Sequence, residues 1–65
     1  MFLNLAAEIK RTGLTQKQFA AEIKMNEILF SKKLNGISDW KLDEIKHILE
    51  FFEGRLSFDY LFGEG

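Results

Sequence analysis

The sequence predicts an all-α domain of five short helices, and three observations carry that expectation. Gly13, Gly36, Gly54 and Gly63 divide the chain into segments whose apolar residues recur at helical spacing. No stretch alternates apolar and polar residues long enough to make a strand. Helix-start chemistry stands at the head of the segments, most sharply between Thr15 and Gln18. The 65 residues hold one core, so residues 1–65 are read as a single domain.

The first helix runs from Phe2 to Thr12 and puts Phe2, Leu5, Ala6 and Ile9 on one stripe. Lys10 and Arg11 fall in its last turn, where the helix dipole favours cations, and Gly13 suits the left-handed cap position. The second helix opens with a capping box, Thr15 and Gln18, and Leu14 and Phe19 stand where a hydrophobic staple closes around the cap. Its inward stripe is Phe19, Ala20 and Ile23, and Lys24-Met25-Asn26 interrupts it. Asn26 then serves as N-cap of a third helix, with Glu27 at the positive end, Phe30 and Leu34 inward and Asn35-Gly36 as the stop. A fourth helix is expected from Ser38 or Asp39, carrying Leu42, Ile45, Ile48, Leu49 and Phe52 inward until Gly54 ends it. Ser57 caps a last turn, Phe58 to Phe62, before a Gly63-Glu64-Gly65 tail that should fray.

Composition narrows the function. A hydrophobic fraction of 46%, with nine aromatics among it, argues for a packed domain rather than disorder. There is no Cys, hence no thiol nucleophile and no cysteine zinc site, and the single His47 cannot build a histidine cluster. Neither an enzyme active site nor a cofactor or metal is expected in so shallow a domain. No apolar run approaches the length of a membrane span, and the patchily apolar N-terminus carries Glu8 where a signal peptide would have no acid. A cytosolic location is the resulting expectation. The net charge of −1 hides an asymmetry, with a balance of +3 over residues 1–36 and −4 over residues 37–65. One face meeting an anion is one reading of that split, and two ordinarily solvated halves is the other.

The helices at 16–23 and 27–34 are joined by three residues, a turn too short for an antiparallel pair. The small Ala20 lets the second helix of the pair approach, and Met25 in the turn can tuck between them. From Thr15 to Gly36 the chain resembles the helix-turn-helix of Cro/CI-type phage repressors, the XRE-like, lambda-repressor-like group. The residues that carry the resemblance are Gln16 opening the first helix, Ala20, Met25 in the turn, Phe30 inside the second helix, and Asn35-Gly36 after it. One preceding helix and two following ones fit that family's five-helix domain, with the motif at 16–35. The phrases FSKKLNG, WKLDEI and FDYLF are further similar to small phage or prophage proteins of Gram-positive bacteria. Two positions depart from the pattern. Lys24 stands where the family often has Gly, which implies a left-handed lysine at a cost of about 1 kcal/mol. Lys33 stands where many members bury an aliphatic residue, so that Leu34 becomes the inward residue.

Phe30 and Leu34 fix the inward direction of the third helix and turn Ile28, Lys32 and Asn35 outward, with Leu29 and Ser31 flanking. Such an outward set suits a major groove: Lys donates to guanine O6/N7, Asn pairs with adenine, and an apolar side chain sits on a thymine methyl. The resemblance implies base contact for Glu27, Ile28 and Lys32, and phosphate contact for Gln16 with help from helix N-terminal amides. Ser31 and Asn35 complete the candidate base-contacting set. Lys17, Lys33 and Lys41 are candidate phosphate neighbours, which position a protein without specifying sequence. Thr15, Gln18 and Asn26 are read first as caps, Asn26 being also able to approach the DNA backbone. Glu27 is favoured as a dipole-stabilising residue over a cytosine reader, Trp40 as a plug of the core from its loop, and His47 as a surface residue. Asp39, Asp43 and Glu44 are read as first-turn acids.

The leading expectation is a sequence-specific regulator of transcription that binds double-stranded DNA as a homodimer, in the cytoplasm and nucleoid of a bacterial host. Phe51, Phe58, Tyr60, Leu61 and Phe62 offer more apolar surface than one small core needs. Packing within the monomer is slightly favoured over a dimer contact as its use. The alternative is a protein-binding module, an antirepressor or adaptor, that uses the outward Ile28 and Leu29 on the same scaffold.

Overall fold

Five helices make up the computed structural model, which describes residues 1–63: α1 (Leu3–Arg11), α2 (Gln16–Glu22), α3 (Glu27–Leu34), α4 (Leu42–Phe51) and α5 (Phe58–Phe62). No strand occurs among the described residues, so the all-α expectation holds. Glu64 and Gly65 of the expected tail lie outside them. No helix among the described residues is long and apolar enough to cross a membrane.

Local chemistry sets most helix ends. α1 buries Leu5 and Ile9 and stops where the Thr12 and Gly13 N–H groups bond the carbonyls of Ile9 and Lys10 at 3.0 and 3.1 Å. Gly13 follows at φ +82°, a conformation that favours a residue without Cβ. Buried Glu8 accepts hydrogen bonds from Arg11 at 3.2 Å and from the Tyr60 hydroxyl at 2.8 Å. Asn4 Nδ2 donates to the Tyr60 carbonyl at 2.9 Å. These two contacts fasten the first helix to the last. At α5, Ser57 Oγ accepts from the Tyr60 N–H at 3.0 Å, the cap expected from the sequence.

The start of α4 corrects the sequence reading. Its first helical residue is Leu42, with Lys41 as N-cap, and not Ser38 or Asp39. Glu44 accepts from the Lys41 N–H at 2.8 Å and so fixes the helix start there. The preceding residues are committed elsewhere: the Ile37 and Ser38 N–H groups close the end of α3 on the Lys32 carbonyl at 2.9 and 3.3 Å. That path delivers Trp40 inward, where its ring meets Phe30, Phe62 and Phe2 at centroid distances of 5.8, 5.5 and 6.4 Å. Leu42, expected inward, is instead 69% exposed. It lies on the expected stripe, but burial deepens along α4 from an exposed Leu42 through half-buried Ile45 to fully buried Ile48. The core does not reach the first turn of the helix.

Leu5, Ile9, Phe19, Ala20, Ile23, Phe30, Leu34, Ile48, Phe52 and Leu61 are the buried apolar residues, with at least one from each helix. Principal extents of 24 × 23 × 21 Å mean that the helices surround this cluster rather than layer upon it. Of the surplus apolar residues near the C-terminus, Leu61 is buried and Phe51 and Phe62 pack against the cluster, while Phe58 and Tyr60 stay exposed. The monomer uses most of that surface itself.

Candidate nucleic-acid interface

The helix pair α2–α3 begins with the capping box read from the sequence. Thr15 Oγ1 accepts from the Gln18 N–H at 3.1 Å, and Gln18 Oε1 accepts from the Thr15 N–H at 2.9 Å. Phe19 and Ala20 then turn inward, at 0% and 1% exposure, and α2 and α3 pack on each other. Their connection is closed by the Met25 N–H on the Ala20 carbonyl at 2.8 Å, which requires Lys24 to adopt φ 60°. This is the left-handed lysine that the resemblance to the helix-turn-helix family implies. Met25 is half-buried and packs against the core.

Asn26 starts α3 by accepting two hydrogen bonds on Oδ1, from the Ile28 and Leu29 N–H groups at 2.8 and 3.2 Å. One side-chain oxygen thereby satisfies two of the amide donors that a helix start leaves open. Phe30 and Leu34 are fully buried and hold the helix from inside. At the far end Asn35 Nδ2 donates to the Ser31 carbonyl at 2.8 Å, and Gly36 reverses the chain at φ +81°. The Phe2 N–H reaches the Leu34 carbonyl at 3.0 Å, so the end of α3 also anchors the start of α1.

Against this frame the candidate residues separate. Gln16, Lys17, Asn26, Glu27, Ile28, Lys32, Asn35 and Lys41 are exposed, and Ser31 is half-buried. Ile28 shows 69% of its surface and Leu29 40%, an apolar step at the start of α3. Lys17, Lys24, Lys32 and Lys41 make no ion pair among the described residues, so their charge is available to a partner.

Lys33 is the correction. Expected among the phosphate neighbours, it is 3% exposed, and its ammonium donates to both carboxylate oxygens of Glu44. It cannot serve an external phosphate from there. Sequence reasoning missed this pair because its partners are 11 residues apart, in different helices. The available signal was a lysine at a position where an aliphatic residue is usual, with an acid in the first turn of the next helix. Lys24 was also missed as a candidate cation, although its place in the turn beside α3 was plain.

Two cavities, of ≈ 320 and ≈ 410 Å³, lie elsewhere, the first between Arg11 and Arg55 and the second between Lys24 and His47. None of the candidate residues lines either of them. Ile28, Lys32 and Asn35 stand exposed on α3 and its C-terminal cap. No protein-family model, no curated protein and no solved structure matches the chain.

Proposed function

We propose that the chain is a sequence-specific DNA-binding regulator of transcription, of the lambda-repressor-like type, which lays α3 in the major groove. The observation that carries this reading is the outward face of α3. A cation, an amide and a branched apolar side chain stand exposed together on a helix pinned by Phe30 and Leu34 and capped by Asn26. These are the side-chain types that read base edges. Lys32 donates to guanine O6/N7 and Ile28 packs on a thymine methyl. Asn35 reaches adenine by exchanging its hydrogen bond to Ser31 for the base. Ser31 and Glu27 flank these contacts. Gln16 and Lys17 at the start of α2, with Asn26 and Lys41, lie along the phosphates and set the docking pose. No chemistry is done; the regulator occludes a promoter or recruits a partner to it in the cytoplasm of a bacterial host.

One short helix gives little affinity, so two copies bind a near-palindromic site with half-sites about 34–36 Å apart. Selection of bound duplexes from a random pool, followed by salt titration of the winner, tests this. The expected result is a palindromic consensus whose affinity falls by about 0.9 log units per phosphate contact for each log unit of salt. No consensus at low salt would sink the proposal.

A specific observation favours a second reading. With Lys33 withdrawn, Lys32 is the lone exposed cation on α3, beside the exposed Ile28 and Leu29. A protein groove would use both apolar side chains, whereas one thymine methyl uses one. Lys32→Glu abolishes binding if the partner is DNA. Ile28→Asp abolishes it, with Lys32→Glu harmless, if the partner is a protein.

A further inference from the structure

Phe30 and Leu34 hold α3 by apolar contact, which is non-directional. Such contact turns the right face of the helix inward but sets its exact roll less sharply than a hydrogen-bonded contact does. The outward face depends on roll, since successive side chains are only about 100° apart. Lys33 supplies what the apolar pair lacks. Its ammonium meets both oxygens of Glu44, and Glu44 Oε1 also accepts from the Lys41 N–H at 2.8 Å. The Ile37 and Ser38 N–H groups, both on the Lys32 carbonyl, tie down the segment between. The Glu44 carboxylate thus joins the end of α3 to the start of α4, and the Lys32 carbonyl holds the linker between them.

A buried pair of charges is a poor source of stability, because desolvation cancels most of the attraction and an apolar pair of similar volume does as well or better. What a buried charge pair adds is specificity of arrangement, because each charge is satisfied only where the two groups meet. We infer that the Lys33–Glu44 pair positions the reading helix: it sets the roll of α3 against α4 and so decides which outward side chains meet the bases. The inference rests on the DNA-binding reading above. It gives Lys33 and Glu44 a part in specificity without any contact to DNA. It also neutralises the Glu44 carboxylate, which stands beside Lys41 and would otherwise repel the phosphate backbone.

The test is the double variant Lys33→Met/Glu44→Gln in the full chain. It removes both charges, while the amide oxygen brought in by Glu44→Gln still accepts from the Lys41 N–H. Circular dichroism and thermal melting report the fold. Affinity for the selected duplex, its salt slope, and its ratio to a scrambled duplex report the function. The expected variant is folded, keeps the parent's salt slope, and loses about tenfold in the ratio, the size of one discriminating base contact. An unchanged ratio in the folded variant overturns the inference. So does a salt slope reduced by about 0.9, which would put Lys33 on a phosphate. If the double variant fails to fold, Lys33→Arg keeps the charges but moves their geometry. Its re-selected consensus is expected to change, and an unchanged one overturns the inference. A parent chain that selects no sequence sinks the DNA reading and this inference together. A parent that selects, matched by a double variant that selects as well, sinks this inference alone.

Discussion

Lys24 holds φ at 60°, where a residue with a Cβ is disfavoured by about 1–2 kcal/mol. The chain accepts that cost because the turn must bring the Met25 N–H back to the Ala20 carbonyl and still leave Asn26 extended as the next cap. Glycine at this position removes the strain but is freer in the unfolded chain, which takes back part of the gain. Lys24→Gly is expected to stabilise by a net 0.5–1 kcal/mol or so, a rise of about 2–8 °C in melting temperature followed by circular dichroism. A lower melting temperature would mean that the lysine stem contributes packing that outweighs its backbone. The caps point the other way. Asn26→Ala strips the acceptor from two amides at once and is expected to cost about 1–2 kcal/mol in urea denaturation. Thr15→Ala, which loses one such bond, should cost about 1 kcal/mol. Equal losses would show that the second bond to Asn26 contributes nothing.

Between residues and the whole molecule stand the helices, and here legibility in the sequence divides by range. The capping box at Thr15, the Asn26 cap and the inward pair Phe30 and Leu34 involve residues a few positions apart, and each is readable as a spacing, whereas the left-handed turn at Lys24 is implied by the family resemblance alone. The start of α4 was not, because two contacts from beyond the local window decide it. The Lys32 carbonyl holds the Ile37 and Ser38 amides, and the core takes in Trp40. Lys33 shows the same limit: its neighbours in sequence say solvated cation, and its partner arrives from α4. Exposure of Ile28 and Lys32 follows from helix periodicity, so the outward face of α3 is legible once Phe30 and Leu34 are assigned inward. A prediction belongs to this scale. Lys17→Ala and Lys33→Ala are both lysine deletions beside the interface, yet only Lys17 is solvated. If the proposed DNA binding holds, Lys17→Ala should reduce its salt slope by about 0.9 with the melting temperature unchanged. Lys33→Ala should leave the slope intact in whatever fraction stays folded and lower the melting temperature, because Glu44 loses its buried partner. Parallel salt titrations and melts of the two variants read this directly, and a slope that falls for both would return Lys33 to the phosphates.

Across the whole molecule the seven Phe rings and Trp40 form one connected framework. Phe58 stacks on Phe62, Phe62 meets Phe2 and Trp40, Trp40 meets Phe30, and Phe30 meets Phe19, which contacts both Phe51 and Phe52. Phe30 joins the two halves of this chain of rings, at 5.6 Å from Phe19 and 5.8 Å from Trp40. It is also the residue that faces α3 inward. Stability and the proposed reading surface therefore share a single side chain. A domain of 65 residues has a total stability of only about 3–10 kcal/mol, and truncating a buried Phe to Ala costs about 3–5 kcal/mol. Phe30→Ala is thus expected to remove about a third or more of that stability and to weaken the proposed binding with it, although it touches no partner. Phe58→Ala, at the 47% exposed end of the same framework, should cost about 1 kcal/mol or less and leave binding unchanged unless the C-terminal helix forms the dimer contact. Urea denaturation of both variants, read beside sedimentation of the Phe58→Ala chain on its duplex, separates these outcomes. Loss of the two-copy complex with the fold intact would assign the exposed Phe58 to the contact between copies. A Phe30→Ala chain that loses well under about 3 kcal/mol would show that Phe19 and Trp40 close over the gap, and that the two halves of the core do not depend on the ring between them.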